Sequence, residues 1–149
     1  MEVIPGVSSA LAAPASAGIP LTKRGVNESF GVVTGTLSNG GISTDLALAA
    51  QSSATVIVLM GVSHLKEIAW LFENARAASE PMAIIQNAIL PQQKVVTVTT
   101  HMICKLVEEN EIPSPAVIVI GKVMNEREIV EGLLITEEVA SNYAKQRAI

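Results

Sequence analysis

The sequence predicts an α/β fold, with a mixed, largely parallel sheet of about five strands and helices on both faces. Short apolar, β-branched segments alternate along the chain with segments of helical periodicity. Two of these segments, residues 55–60 and 116–120, are apolar at successive positions, which is typical of strands covered on both faces. At 149 residues the chain is long enough to form one such domain.

The composition excludes several partners. The net charge is −4 and no segment is basic enough to follow a phosphate backbone, so we expect no nucleic acid partner. No signal peptide is recognisable, and no apolar run approaches the roughly 20 residues that cross a bilayer. With one cysteine, Cys104, we expect a cytoplasmic protein without disulfides or membrane contact. Only 16% of the residues are charged, which predicts a surface partly covered by another domain, subunit or ligand.

The first elements surround a turn. Residues 2–4 are typical of the end of a strand, which Pro5 and Gly6 terminate. Because this strand is so short, we expect the natural start of the unit to lie outside these residues. Ser8 and Ser9 are good N-cap residues for a helix over residues 10–17, which consists of small side chains.

The middle of the chain alternates between strands and helices. A serine before an amphipathic segment favours a capped helix, and clustered glycines favour a loop. These patterns predict, in order, a strand over residues 29–34, a loop over 35–41, a helix over 45–50, a strand over 55–60 and a helix capped by Ser63.

The last third of the chain supplies the remaining strands. We predict strands over residues 82–85, 94–99 and 116–120, a helix over 101–109 and a partly helical tail over 126–149. Polar residues alternate with apolar ones in the second of these strands, which places it near a sheet edge. The third is apolar throughout and is predicted to be central.

The sequence lacks the residue patterns that several common enzyme classes require. The two histidines, His64 and His101, fall in predicted helix starts without an attached acid, and no G-x-S-x-G motif is present. The cysteine and histidines do not have the spacing of a zinc site, and no phosphate-binding glycine motif occurs. We therefore assign no catalytic residue and no metal. Ligands of such folds bind beyond the carboxyl ends of strands, so we consider the loops over residues 5–9, 34–41, 60–63 and 86–93.

Five segments carry a family resemblance. They are VIPGVSSALAAPASAGIPLTKRG (residues 3–25), VTG (33–35), LMG (59–61), AIIQNAILPQQK (83–94) and SPAVIVIGKV (114–123). In order and spacing they resemble the tetrapyrrole methylases, and among these most closely the uroporphyrinogen-III C-methyltransferases. The resemblance covers the second of that family's two domains. Residues 1–25 then form an interdomain turn and helix, and the glycine-rich loop of the first domain, G-x-G-P-G-D, is absent from this sequence.

The resemblance implies an S-adenosyl-L-methionine-dependent enzyme. The implied enzyme methylates two ring carbons of uroporphyrinogen III to give precorrin-2, on the route to siroheme and cobalamin, and members of the family are homodimers. Positioning dominates catalysis of such a transfer, and the resemblance implies that any proton acceptor belongs to the first domain. Alone, this chain is expected to be inactive. Two alternatives are another precorrin or tetrapyrrole methylase and a non-catalytic remnant that dimerises or binds a partner.

The resemblance also implies site residues. The family's cofactor contacts fall on Ser8, Ser9, Met60 and Ala88. An ordinary core methionine is an equal alternative for Met60.

Substrate contacts are implied for Arg24 and Thr36. Lys23 and Arg24 are expected near the mouth of the cleft between the two domains, with one of them paired with a carboxylate of the tetrapyrrole, although a solvated basic pair is as good an interpretation. Thr36 stands where the subfamily commonly has histidine. Ala88 and Ile89 stand where it commonly has Gly-Thr, which leaves the exact substrate open.

Overall fold

The computed structural model describes residues 2–76, 79–103, 106 and 113–126. The elements in chain order are α1 Ser9–Ser16, β1 Phe30–Thr34, α2 Asp45–Ala50, β2 Thr55–Leu59, α3 Leu65–Ala75, β3 Pro81–Gln86, β4 Lys94–Thr99 and β5 Ala116–Ile120. Short 3₁₀ turns cover Val62–His64, Thr100–Met102 and Lys122–Glu126. None of the helices in these ranges is long and apolar enough to cross a bilayer.

The five strands form one mixed sheet in the order β1-β2-β5-β3-β4, which confirms the predicted α/β class. The expectation that the sheet is largely parallel was wrong for its pairs, since among the described strands only β1 and β2 pair in parallel. β5 lies antiparallel between β2 and β3. β4 follows β3 through residues 87–93, a connection too short for the crossover that parallel pairing needs.

Helices cover both faces of the sheet, as predicted. On one face, α2 and α3 pack their Leu46, Ile68 and Phe72 side chains against alternate residues of the central strands. On the other, Ala10 and Ala13 of α1 pack against residues of β2, β3 and β5. Because these alanines are small, the α1 backbone lies close to the sheet. β5 is central and β4 lies at an edge, both as predicted.

Two local predictions need correction. Residues 2–4 are exposed and pair with no strand of the described sheet. Ser63 lies inside a 3₁₀ turn, and α3 begins after His64 without a side-chain cap. Ser8 does cap α1, since its Oγ accepts a hydrogen bond from the Ala10 amide at 3.2 Å. Cys104, most of the predicted helix over residues 101–109 and the tail beyond residue 126 lie outside the described residues.

A buried ion pair fastens α3 to the start of β3. Arg76 Nη1 donates to Glu80 Oε1 at 2.8 Å, and their side chains are only 10% and 4% exposed. The remaining guanidinium nitrogens donate to the carbonyls of Ala49, Ala50 and Ala54 at 2.8–3.2 Å. The Arg76 guanidinium also lies 4.9 Å from the centre of the Phe72 ring. This arginine therefore ties α2, α3 and the entries to β2 and β3 together.

Candidate functional site

Three strand ends converge on one edge of the sheet. β1, β2 and β3 point in the same direction, so their carboxyl ends meet there, and Ala116 at the start of β5 pairs with Gln86 at the end of β3. A cavity of about 490 Å³ opens at this edge. Ser9 of α1, Met60 after β2, Ala88 after β3 and Pro115 before β5 contribute to its walls. This volume lies in the range of small-molecule sites.

The backbone around the cavity is strained. Met60, Asn87 and Ile89 have φ angles of 54°, 48° and 71°, and they are the non-glycine residues with positive φ in the described ranges. Such conformations cost of the order of 1–3 kcal/mol each and cluster at functional sites. For Ile89 the conformation is the least favourable, because its side chain is β-branched. The strain thus falls in the two loops that border the cavity.

The loop after β2 is held by the loop after β1. Thr36 Oγ1 donates to the carbonyl oxygen of Met60 at 2.6 Å and lies 3.3 Å from Ser63 Oγ. The Gly35 amide donates to the Leu59 carbonyl at 2.6 Å. There is no room for a side chain at Gly35, because a Cβ would meet the backbone of Gly61 and, at 3.0 Å, the Met60 carbonyl oxygen. These contacts fix Met60, whose side chain is 65% exposed.

The loop after β3 is held by a glutamine that the sequence analysis did not identify. Gln93 Oε1 accepts from the Ile89 amide at 2.7 Å and from Ser16 Oγ at 2.8 Å. Its Nε2 donates to the Ser16 carbonyl at 3.2 Å. A glutamine in a polar loop has no sequence signature, so only the fold reveals this role.

The structure brings together three of the four cofactor residues implied by the resemblance. Ser9, Met60 and Ala88 all line the cavity. Ser8 is adjacent in sequence but is not a lining residue, and its hydroxyl caps α1. Thr36 is also not a lining residue, and its hydroxyl binds the Met60 carbonyl. Thr36 is therefore linked to the cavity through the Met60 backbone.

Arg24 lies at the opposite edge of the sheet, contrary to the expectation that it lines the cleft mouth. Its turn is anchored by Asn27, whose Nδ2 donates to Thr55 Oγ1 at 3.0 Å, and Thr55 is the first residue of β2. The neighbouring Lys23 pairs with Glu126, beyond the end of β5. The cavity lies past the other end of β2, about 17 Å away at the rise of a strand. The chain turns back after α1, which the sequence pattern does not reveal.

The histidines do not belong to the cavity. Contrary to the sequence analysis, each has an acidic neighbour: His64 Nδ1 lies 3.7 Å from Glu67 Oε1, and His101 Nδ1 lies 3.1 Å from Glu73 Oε1. Neither ring lines the cavity. Over residues 2–76, 79–103, 106 and 113–126, no group of three or more His, Cys, Asp or Glu side chains is placed to hold a metal.

A larger cavity, of about 740 Å³, lies at the opposite edge, where β3 begins and β4 ends. Glu80, Thr97 and Lys122 are among its lining residues. Two arguments favour the smaller cavity as the functional site. Ligands of α/β sheets bind outside the carboxyl ends of strands, and the strained residues Met60 and Asn87 line the smaller cavity alone.

Comparison with known proteins supports a family assignment. A family model described as Tetrapyrrole (Corrin/Porphyrin) Methylases matches residues 1–103. A siroheme synthase of Psychrobacter arcticus is 37% identical over 125 residues, which are 83% of this chain and 23% of the synthase. A uroporphyrinogen-III C-methyltransferase of Methanocaldococcus jannaschii is 36% identical over 126 residues, which are 83% of this chain and 52% of that enzyme.

A solved structure shares the fold. It is the uroporphyrin-III C-methyl transferase from Thermus thermophilus complexed with S-adenyl homocysteine, with a TM-score of 0.70 and 34% identity. The match covers 83% of this chain and 53% of that one. The chain therefore spans about half the length of these methyltransferases and about a quarter of the siroheme synthase.

Proposed function

Because the chain belongs to the tetrapyrrole (corrin/porphyrin) methylase family, we propose that it is the second-domain half of an S-adenosyl-L-methionine-dependent C-methyltransferase that converts uroporphyrinogen III to precorrin-2. The observation that carries the proposal is the cavity at the carboxyl ends of β2 and β3, lined by Ser9, Met60 and Ala88. The whole protein is a cytoplasmic homodimer, and its product leads to siroheme and cobalamin.

The lining of the cavity is chemically suited to contact one face of S-adenosyl-L-methionine. Its walls are largely apolar, with Leu59, Ile85 and Val117 among them, which suits an adenine ring and a thioether. The polar groups of the cofactor are then bound by the hydroxyl of Ser9 and by main-chain groups beside Ala88. The small side chain of Ala88 lets the cofactor approach the backbone closely. Arg24 has no part in this site, since its turn lies at the far edge of the sheet.

Another domain closes the cavity in this proposal. The apolar side chains that lead into α1, Val3, Ile4 and Val7, are 81%, 83% and 85% exposed. Exposed apolar patches of this kind are uncommon on monomers. They precede Ser9 in the chain, so a first domain that covers them also approaches the cavity.

When bound, S-adenosyl-L-methionine would supply an electrophilic methyl group for a ring carbon of the tetrapyrrole, with S-adenosyl-L-homocysteine as the leaving group. The residues of this chain bind and orient the cofactor rather than move protons. Ser9 and Ala88 both contribute to the walls of the cavity, and Thr36 fixes the Met60 backbone. Alignment of the reacting atoms is the main contribution that such a site makes to the rate.

Calorimetry with S-adenosylhomocysteine tests the proposal. We expect little or no binding to the 149-residue chain alone, and binding when the first domain of a related methyltransferase is supplied. Ala88→Phe fills the cavity and should abolish this binding. Ala47→Phe, the same change on an exposed face of α2, should preserve it. Equal binding with and without the first domain, or equal binding by both variants, would contradict the proposal.

The departures at Thr36 and Ala88 favour one second candidate, a methylase that acts on another tetrapyrrole. A panel of tetrapyrroles offered to the completed enzyme separates the two, because only the first candidate methylates uroporphyrinogen III in preference to precorrins.

A further inference from the structure

Two walls of the cavity are joined by one side chain. Ser9 and Ser16 are the first and last residues of α1, and Ala88 lies in the loop over residues 87–93. Gln93, at the end of this loop, bonds Ser16 through both its carbonyl oxygen and its amide nitrogen. It also accepts the Ile89 amide, next to Ala88. The helix wall and the loop wall are therefore connected outside the cavity.

The hydrogen bond from the Ile89 amide to Gln93 holds Ile89 in a strained backbone conformation. Within the loop, the Leu90 amide donates to Asn87 and the Gln93 amide donates to Leu90, at 3.1 and 2.9 Å. The Ile89 amide donates to the Gln93 side chain instead, in a residue whose φ is 71°. A β-branched residue holds this conformation only when its surroundings impose it. Loss of the Gln93 carbonyl oxygen therefore frees the loop to relax.

We propose that Gln93 is a positioning residue that clamps the loop over residues 87–93 to α1 and thereby sets the distance between the two cavity walls that grip the cofactor. This inference rests on the proposed function for the identity of the ligand, but the clamp itself does not depend on it. Gln93 acts through Ile89 and Ser16 and does not line the cavity.

The three hydrogen bonds predict an order of effects. Gln93→Leu removes all of them. Gln93→Glu keeps an acceptor for the Ile89 amide but places a second oxygen against the Ser16 carbonyl, where Nε2 now donates at 3.2 Å. Ser16→Ala leaves two of the three bonds and is the matched control, since the single Ser16 hydroxyl proton is shared between Gln93 Oε1 and the Ala13 carbonyl.

Amide hydrogen exchange on the 149-residue chain tests the clamp without a ligand. We expect exchange at Ile89 to accelerate at least about tenfold in Gln93→Leu, because an exposed amide loses its hydrogen bond. In Gln93→Glu and Ser16→Ala, exchange at Ile89 should stay near that of the unmodified chain, and amides of β5 should be unchanged in all three. Unchanged exchange at Ile89 in Gln93→Leu would overturn the clamp.

The effect of the Gln93 clamp on cofactor binding is tested by the affinity for S-adenosylhomocysteine, measured with the first domain supplied. We expect at least tenfold weaker binding for Gln93→Leu, an intermediate loss for Gln93→Glu and less than a threefold loss for Ser16→Ala. Faster exchange at Ile89 with unchanged affinity would overturn the positioning role. Failure of the unmodified protein to bind would instead overturn the proposed function and the identity of the ligand, whereas the exchange result would still decide the clamp.

Discussion

Arg76→Met is expected to lower the free energy of unfolding by about 3–5 kcal/mol. The variant leaves the Glu80 carboxylate, 4% exposed, without its cation, and it deprives three carbonyl oxygens of their donor. Removal of one partner from a buried pair is costly because the remaining charge stays buried. The loss is large compared with the total free energy of unfolding of a typical protein, which is about 5–15 kcal/mol. Urea denaturation followed by circular dichroism measures it.

Two further variants separate charge from geometry. Arg76→Lys keeps the positive charge but lacks the planar group that reaches Glu80 and the carbonyls together, so we expect an intermediate loss. Arg76→Met combined with Glu80→Met should be more stable than Arg76→Met alone, because no unpaired charge remains. If Arg76→Met cost less than about 1 kcal/mol, Arg76 would not fasten α2, α3 and the start of β3 together as described.

Gly35→Ala is expected to weaken binding of S-adenosylhomocysteine to the completed protein at least about 100-fold, which corresponds to about 2.8 kcal/mol. The added Cβ would overlap the Gly61 backbone and approach the Met60 carbonyl oxygen to 3.0 Å. Backbone cannot move aside as a flexible side chain does, so the loop after β2 must shift and carry Met60 with it. Titration calorimetry of the variant with the first domain supplied measures the loss.

Gly31→Ala is the matched control for this substitution. It lies in β1, four residues before Gly35, and a Cβ there meets nothing within 4 Å. Since alanine is less costly than glycine in a strand, we expect this variant to be as stable as the unmodified chain, or slightly more so. Similar losses of affinity in both variants would show that the affinity for S-adenosylhomocysteine does not depend on the close contact between the loops after β1 and β2.

Local patterns predicted the elements well. The bounds of α2, β4 and β5 agree with the predictions, because each segment has a clear periodicity or a continuous apolar run. The central position of β5 and the edge position of β4 followed from the same patterns. The pairing directions did not, since they depend on which strand inserts between β2 and β3. The insertion of β5 between β2 and β3 depends on contacts between residues distant in sequence, which local patterns do not reveal.

The positions of the cavity-lining residues were predicted in part from the sequence, and their role in binding stays a prediction. Ser9, Met60 and Ala88 each follow a turn or a strand end, so the topology of the sheet brings them together. Arg24 was misplaced because the chain returns to the other edge after α1, where Asn27 anchors it to Thr55. Gln93 was missed because its role depends on a bond to Ser16, 77 residues away in sequence.

The identity of the cofactor cavity is the central claim, and nuclear magnetic resonance tests it most directly. The completed protein, with this chain isotopically labelled, is titrated with S-adenosylhomocysteine while the amide signals are followed. We expect the largest shifts at Ser9, Met60 and Ala88 and none at Thr97 or Lys122, which line the larger cavity at the other edge. Shifts concentrated at Thr97 and Lys122, with Met60 and Ala88 unchanged, would contradict the account.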